Sequence, residues 1–188
     1  MHFGLTEEQQ MIVETTRAFV EAELYPHEEK IEQTGELDMD LVKEIQKKAI
    51  DAGLYAANIP EEFGGTGLDT PTWLLYEKEL GKANYALHWT AVARPSNILC
   101  AGTPEQREKY LEPCMRGEKW DCMAMTEPGA GSDLRGMKGT AIQDGDDFIL
   151  NGTKHFISHA DIADFTICLL YTSPSPRDLS TSRMPSSA

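Results

Sequence analysis

The chain has 188 residues, 40% of them hydrophobic, enough to bury one sizeable core or one complete domain and part of a second. Its formal net charge of −14 arises from 31 acidic against 17 basic side chains with no run of five like charges. Phosphate binding needs clustered cations, so a nucleic-acid partner is excluded, and no apolar stretch reaches the roughly 18 residues of a membrane span.

The first helix starts at once. Thr6 with Gln9 makes a capping box, and Leu5, Ile12 and Phe19 recur with Val13, Val20 and Leu24 beside them, predicting an amphipathic helix that Pro26 breaks after about Tyr25. With a capped helix here, nothing at residues 1–10 reads as a signal peptide. Asp38 caps a second helix whose Leu41, Val42, Ile45 and Ala49 share a face, with Gly53 ending it. Thr70-Pro71 opens a third, offering Trp73, Leu74 and Leu80 to the core before Gly81. Residues 85–101 read as a fourth, around Trp89, Val92, Ile98 and Leu99. Thr103-Pro104 with Gln106 starts a fifth, running to about Met115 before Gly117.

The period changes after Trp120. Asp121 to Thr126 is extended in character, and Gly139 to Ser158 reads as a meander with turns at Asp144-Gly145 and Asn151-Gly152 and a third strand over Lys154 to Ser158. Phe165 to Ile167 begins a further strand. The expected fold class is α+β: an all-α domain over residues 1–118, then over 119–167 the first strands of an incomplete antiparallel β-barrel-like domain. An unfinished sheet leaves an edge able to pair with another chain, so association is expected.

From Cys168 the composition shifts to six Ser, three Pro and two Thr in 21 residues, which cannot build a core element. A flexible tail is the plain alternative; the sharper expectation is that residues 168–188 are the translation of a sequencing-library adapter and that the authentic protein stops near Ile167. Cys100, Cys114, Cys122 and Cys168 form no CxxC pair, and the histidines no HExxH, so reduced thiols in a cytoplasmic protein are expected and no residue is assigned to a metal.

The chemistry concentrates in Cys122-Met-Ala-Met-Thr-Glu-Pro-Gly-Ala-Gly-Ser-Asp133. Leu134 stands where the third glycine of a dinucleotide fingerprint belongs, and no regular strand-to-helix unit follows, which rejects a Rossmann site. On composition alone the segment is a Gly-rich loop whose small residues let backbone N–H groups approach a ligand, flanked by the hydroxyls of Thr126 and Ser132.

Position by position, that segment resembles the acyl-CoA dehydrogenase signature C-x-small-aliphatic-T-E-P-x-[AG]-G-S-D. Pro60-Glu-Glu-Phe-Gly-Gly-Thr-Gly67 is similar to the family's loop after its second main helix, and Asn151-Gly-Thr-Lys-His-Phe-Ile-Ser158 to its N-G-x-K-x-[WF]-I-[TS] strand. The similarity covers about residues 3–167. It implies FAD as cofactor, bound by Met123, Met125, Thr126, Gly131, Ser132, Phe156, Ile157 and Ser158. Thr126 would hydrogen-bond the ring, Phe156 pack on it, Ser158 face the hydride-accepting nitrogen, and Ser132 also meet the CoA chain of the substrate.

Phe156 stands where many members carry Trp and Ser158 where Thr is usual, changes that keep ring packing and hydrogen bonding available. The resemblance further implies oxidation of acyl-CoA to trans-2-enoyl-CoA, electron transfer to an electron-transfer flavoprotein, and a homo-oligomer, dimer or tetramer. The family's catalytic base is a glutamate of a carboxy-terminal helical domain, so no residue here is assigned that role, Glu127 belonging to the flavin loop. Acyl-CoA oxidases, nitroalkane oxidases and a non-catalytic binding module on the same scaffold stay open as alternatives. The fragment by itself is expected to be inactive.

Overall fold

The computed structural model describes residues 4–92 and 95–172. The chain divides into two compact units after Asp121, against an expected boundary at 118.

In the first unit, α1 (Glu7–Phe19) begins with the capping box: Gln9 N–H donates to Thr6 Oγ1 and Thr6 N–H to Gln9 Oε1, both at 3.1 Å. Pro26 does not end the helix as expected. Residues Val20–Leu24 widen into a π-turn in which Tyr25 N–H reaches Val20 O, and α2 (Tyr25–Thr34) follows directly, with Pro26 in its first turn where no N–H is required. Asp38 caps α3 (Met39–Asp51), and Gly53 turns the chain at φ +68°. Asp69 caps α4 (Thr70–Leu80).

The expected long fourth helix is interrupted. After α5 (Tyr85–Ala91), Asn97–Ala101 form only a 3-10 turn, because Pro95 has no N–H with which to continue the ladder; residues 93–94 lie outside the described chain. α6 (Pro104–Gln106) starts on the Thr103/Gln106 capping box and runs through a second π-turn into α7 (Glu112–Met115).

Val20, Leu24, Val42, Ile45, Ala49, Ile59, Leu87 and Ala91 fill the centre of this unit, each at most 1% exposed. Full burial of a Leu or Ile side chain contributes about 1.5–3 kcal/mol. Leu74, expected in the core, is instead exposed, while Tyr76 of the same helix is buried and donates to Leu54 O at 2.6 Å. Across α1 and α4, Arg17 Nε and Nη2 grip the two oxygens of buried Glu79 at 3.1 and 3.2 Å. In the Pro60–Gly67 loop a Cβ on Gly65 would sit 2.0 Å from Ile59 O, and Gly67 N–H donates back to the same carbonyl. Only glycine permits that approach.

The second unit is built from two sheets rather than one meander. β1 (Asp121–Ala124) pairs with β4 (Phe165–Cys168). β2 (Thr140–Asp144) and β3 (Asp147–Asn151) form an antiparallel hairpin whose register pairs Asp144 with Asp147, leaving Gly145, at φ +66°, and Asp146 as its turn. β5 (Tyr171–Thr172) lies parallel to β2, so the tail expected to be disordered from Cys168 begins inside the sheets: Cys168 ends β4, and Tyr171 and Thr172 pair with Thr140 and Ala141. The described residues contain no closed barrel. Lys154 to Ser158 is not a strand, because polar contacts pull Lys154 and His155 inward and Phe156 turns the backbone left-handed at φ +56°. Of the tail from Cys168, residues 173–188 lie outside the described chain.

No helix among the described residues is long and apolar enough to cross a membrane.

Candidate functional site

Met123 sits half-buried on β1, whose alternate residues Cys122 and Ala124 point into the unit. Beyond the strand, Met125 and Thr126 remain half-buried and the chain then doubles back. Glu127 and Ala130 exchange backbone hydrogen bonds at 2.9 and 3.1 Å around Pro128-Gly129, Pro128 presetting the turn. Gly131 and Ser132 follow, exposed, before Asp133 caps a short 3-10 turn over Leu134–Gly136.

Sequence reasoning placed the glycines of this loop by composition, and the structure separates their roles. A Cβ on Gly129 or Gly131 would meet nothing within 4 Å, and neither residue has a positive φ. No packing or backbone demand of the protein requires glycine at either position, so both present open backbone to whatever lies against the loop. Gly139 and Gly152 differ: a Cβ on Gly139 would come within 2.6 Å of Glu127 Oε1, and one on Gly152 within 2.7 Å of Gly139 Cα. Those two glycines serve internal packing.

The loop is held from beneath by a polar cluster that motif reading did not assign. Lys154 Nζ donates to Glu127 Oε1 at 2.8 Å and to Met125 O at 2.9 Å, with Met137 Sδ at 3.6 Å. Glu127 also accepts from the N–H groups of Lys138 at 2.7 Å and Gly139 at 2.9 Å. Three donor contacts on a carboxylate whose side chain is 7% exposed favour its charged form, and the Lys154 ammonium, first among them, holds it down at about pKa 2. Glu127 and Lys154 are 27 positions apart, so no spacing rule links them.

One residue on, His155 N–H donates to Thr126 O at 3.0 Å, which brings the two expected walls of the site side by side. Phe156 then projects outward. Its side chain is 87% exposed, it occupies the left-handed region that L-residues rarely enter, and its ring leans on His155 with centroids 4.2 Å apart. Ile157 is half-buried and Ser158 exposed. His159, again left-handed at φ +64°, is half-buried, and burial pushes its imidazole pKa down. The cluster therefore joins Met125, Thr126 and the 154–158 segment directly, while Gly131 and Ser132 lie at the far side of the Pro128-Gly129 turn.

Backbone strain at an exposed aromatic persists only where the surroundings over-determine it, and such positions gather at ligand sites. An exposed planar ring, adjacent hydroxyls and glycines with open space above them suit a flat heteroaromatic ligand, and the residues present thus fit a flavin. Among the described residues no group of three or more His, Cys, Asp or Glu is placed to hold a metal ion.

The acyl-CoA dehydrogenase N-terminal domain matches residues 6–118 and the acyl-CoA dehydrogenase middle domain residues 122–187. The chain is 37% identical over 172 residues to the 3-(aryl)acrylate reductase of Clostridium sporogenes, covering 89% of this chain and 44% of that protein. It is 36% identical over 169 residues to the caffeyl-CoA reductase-Etf complex subunit CarC of Acetobacterium woodii, covering 87% of this chain and 43% of that protein. The structure of a glutaryl-CoA dehydrogenase of Mycobacterium smegmatis in complex with FADH2 superimposes with a TM-score of 0.78 at 28% identity, covering 90% of this chain and 44% of that one. The chain thus spans under half the length of these relatives. With both domains matched in order and the signature loop folded against the 154–158 segment, the chain belongs to the acyl-CoA dehydrogenase family.

Proposed function

We propose that this chain supplies one wall of an FAD site in a cytoplasmic, homo-oligomeric enzyme. Its reaction is the oxidation of acyl-CoA thioesters to trans-2-enoyl-CoA, with an electron-transfer flavoprotein as acceptor. The observation that carries the reading is Phe156: a ring 87% exposed, on a strained backbone, one residue from the His155 N–H that is bonded to Thr126 O. Bound there, FAD would accept hydride from the β-carbon of the substrate. The chain's own residues bind and orient. Phe156 covers one ring face, Thr126 and Ser158 offer hydroxyls to ring heteroatoms, Met123, Met125 and Ile157 line the apolar edge, and the open backbone at Gly131 and Ser132 meets the cofactor near the CoA chain. The relatives support the partner class, since CarC is named as part of an Etf complex.

Purification of the whole protein tests this. It should emerge yellow with FAD and reduce an artificial acceptor when given acyl-CoA, and an apoprotein that takes up no FAD from excess would sink the reading. Thr126→Val should cost about 1–3 kcal/mol of flavin affinity if its ring partner is left buried and unsatisfied. Assay in both directions, acyl-CoA oxidation and enoyl-CoA reduction, distinguishes a dehydrogenase from a reductase. The 188-residue chain alone should show no saturable turnover above a flavin-only blank, because no residue in it is assigned as the base and one wall leaves most of the ligand in water.

A further inference from the structure

We infer that Lys154 and Glu127 act as a positioning pair that sets the distance between the Thr126 wall and the Phe156–Ser158 wall, and through it the orientation of the bound ring. The inference rests on the flavin reading above. Neither side chain is offered to a ligand: they are 12% and 7% exposed, and every contact described for them points back into the protein. Yet each contact ends on a backbone atom or side chain next to a residue that faces outward. Lys154 Nζ holds Met125 O, immediately before Thr126, and Lys154 itself precedes the His155 N–H that bonds Thr126 O. Glu127 draws in the N–H groups of Lys138 and Gly139, and Gly139 in turn carries Gly152, whose Cβ would come within 2.7 Å of its Cα.

One ammonium–carboxylate contact therefore ties together the end of β1, the start of β2 and the turn after β3. The first of those backbones leads into Thr126 and the last into Phe156–Ser158, while the start of β2 braces the two from beneath through Glu127. A generic surface ion pair would not do this, because long exposed side chains can shift without moving the backbone. Here both charges are enclosed, so removing one leaves the other buried and forces the backbone to rearrange or admit water. Binding and chemistry depend steeply on placement, since a displacement of about 1 Å can cost on the order of a hundredfold in rate.

The test uses the whole protein loaded with FAD and the variants Lys154→Met and Glu127→Gln. The readouts are FAD affinity, the absorbance spectrum and midpoint potential of the bound flavin, and the melting temperature. In Lys154→Met, FAD affinity should fall about tenfold or more, and the remaining bound flavin should show a displaced spectrum and potential. Lys154→Arg, which keeps the charge, should recover part of both. A pair that merely stabilises the fold would lower the melting temperature and leave affinity, spectrum and potential unchanged, and that result overturns the inference. Should Lys154→Met fail to fold, Glu127→Gln carries the same measurements, since it retains an acceptor oxygen for the backbone donors and removes the charge. A parent protein that takes up no FAD would instead defeat the flavin reading, which separates the two failures.

Discussion

The helical unit and the sheet unit each contain a buried glutamate held at about pKa 2, and the two are held differently. Glu79 owes its low value first to Arg17 and then to Lys82, cations that are themselves 47% and 42% exposed. It bolts α1 to α4 from the solvent side. Glu127 is met by a Lys154 that is only 12% exposed and by two backbone N–H groups. The same charge state therefore does different work: flexible, wet partners fasten two helices that already pack, whereas enclosed partners define where a loop's backbone runs. The apolar residues follow a similar division. Leu24, Val42 and Ile59 of the helical unit are fully enclosed, while Phe148, Ile149 and Leu150 of β3 are all at least half exposed.

The contrast can be broken at several points. The largest effect is expected from Leu24→Ala, which should cost about 2–5 kcal/mol in chemical denaturation because the site is fully packed. Leu150→Ala on exposed β3 should stay within about 0.5 kcal/mol. Equal losses at the two positions would mean that β3 is covered in solution.

Glycines sharpen the comparison within the sheet unit. Gly139→Ala should destabilise by about 1–3 kcal/mol, since its Cβ falls on the Glu127 carboxylate. Gly129→Ala, with open space above it, should change stability by less than about 0.5 kcal/mol. If Gly129→Ala proved the more damaging in thermal melts, the division between packing glycines and ligand-facing ones would be wrong.

A smaller, pH-dependent effect isolates Glu79. Its folded pKa of about 2 lies below the ordinary value of 4.5, so the stability it contributes is present above pH 4.5 and is lost as pH falls through the folded value. The difference in melting temperature between the parent and Glu79→Gln should be greatest near neutrality, shrink below pH 4.5 and be nearly gone by pH 2. A difference that stays constant across that range would remove the ion pair from the account and leave only packing. Because half-exposed cations are screened, added salt should also shrink it, and the corresponding difference for Glu127→Gln should respond less.

Much of the helical unit was legible because its signals are local. Thr6 with Gln9, Asp38, and Thr103 with Gln106 each announce a helix start within four residues, and the apolar period after them marks the buried face. The Gly145 hairpin was legible for the same reason. Local rules failed where a neighbour overruled them. Pro26 should have ended α1, and a π-turn accommodated it; Leu74 has the right period but faces solvent, because Tyr76 and Leu80 take the core side of α4.

By itself, then, the sequence determined the α+β class, the family and the loop on which a cofactor site would be built, since each is written in contiguous residues. Only the tertiary structure decided that 154–158 is not a strand, that β5 runs parallel to β2, and that Lys154 reaches across 27 positions to enclose Glu127 beneath the loop. The physical reason is range. Capping and periodicity act within a turn or two of chain, whereas a buried charge must find whichever partner the fold brings to it, and sequence separation carries no information about that distance.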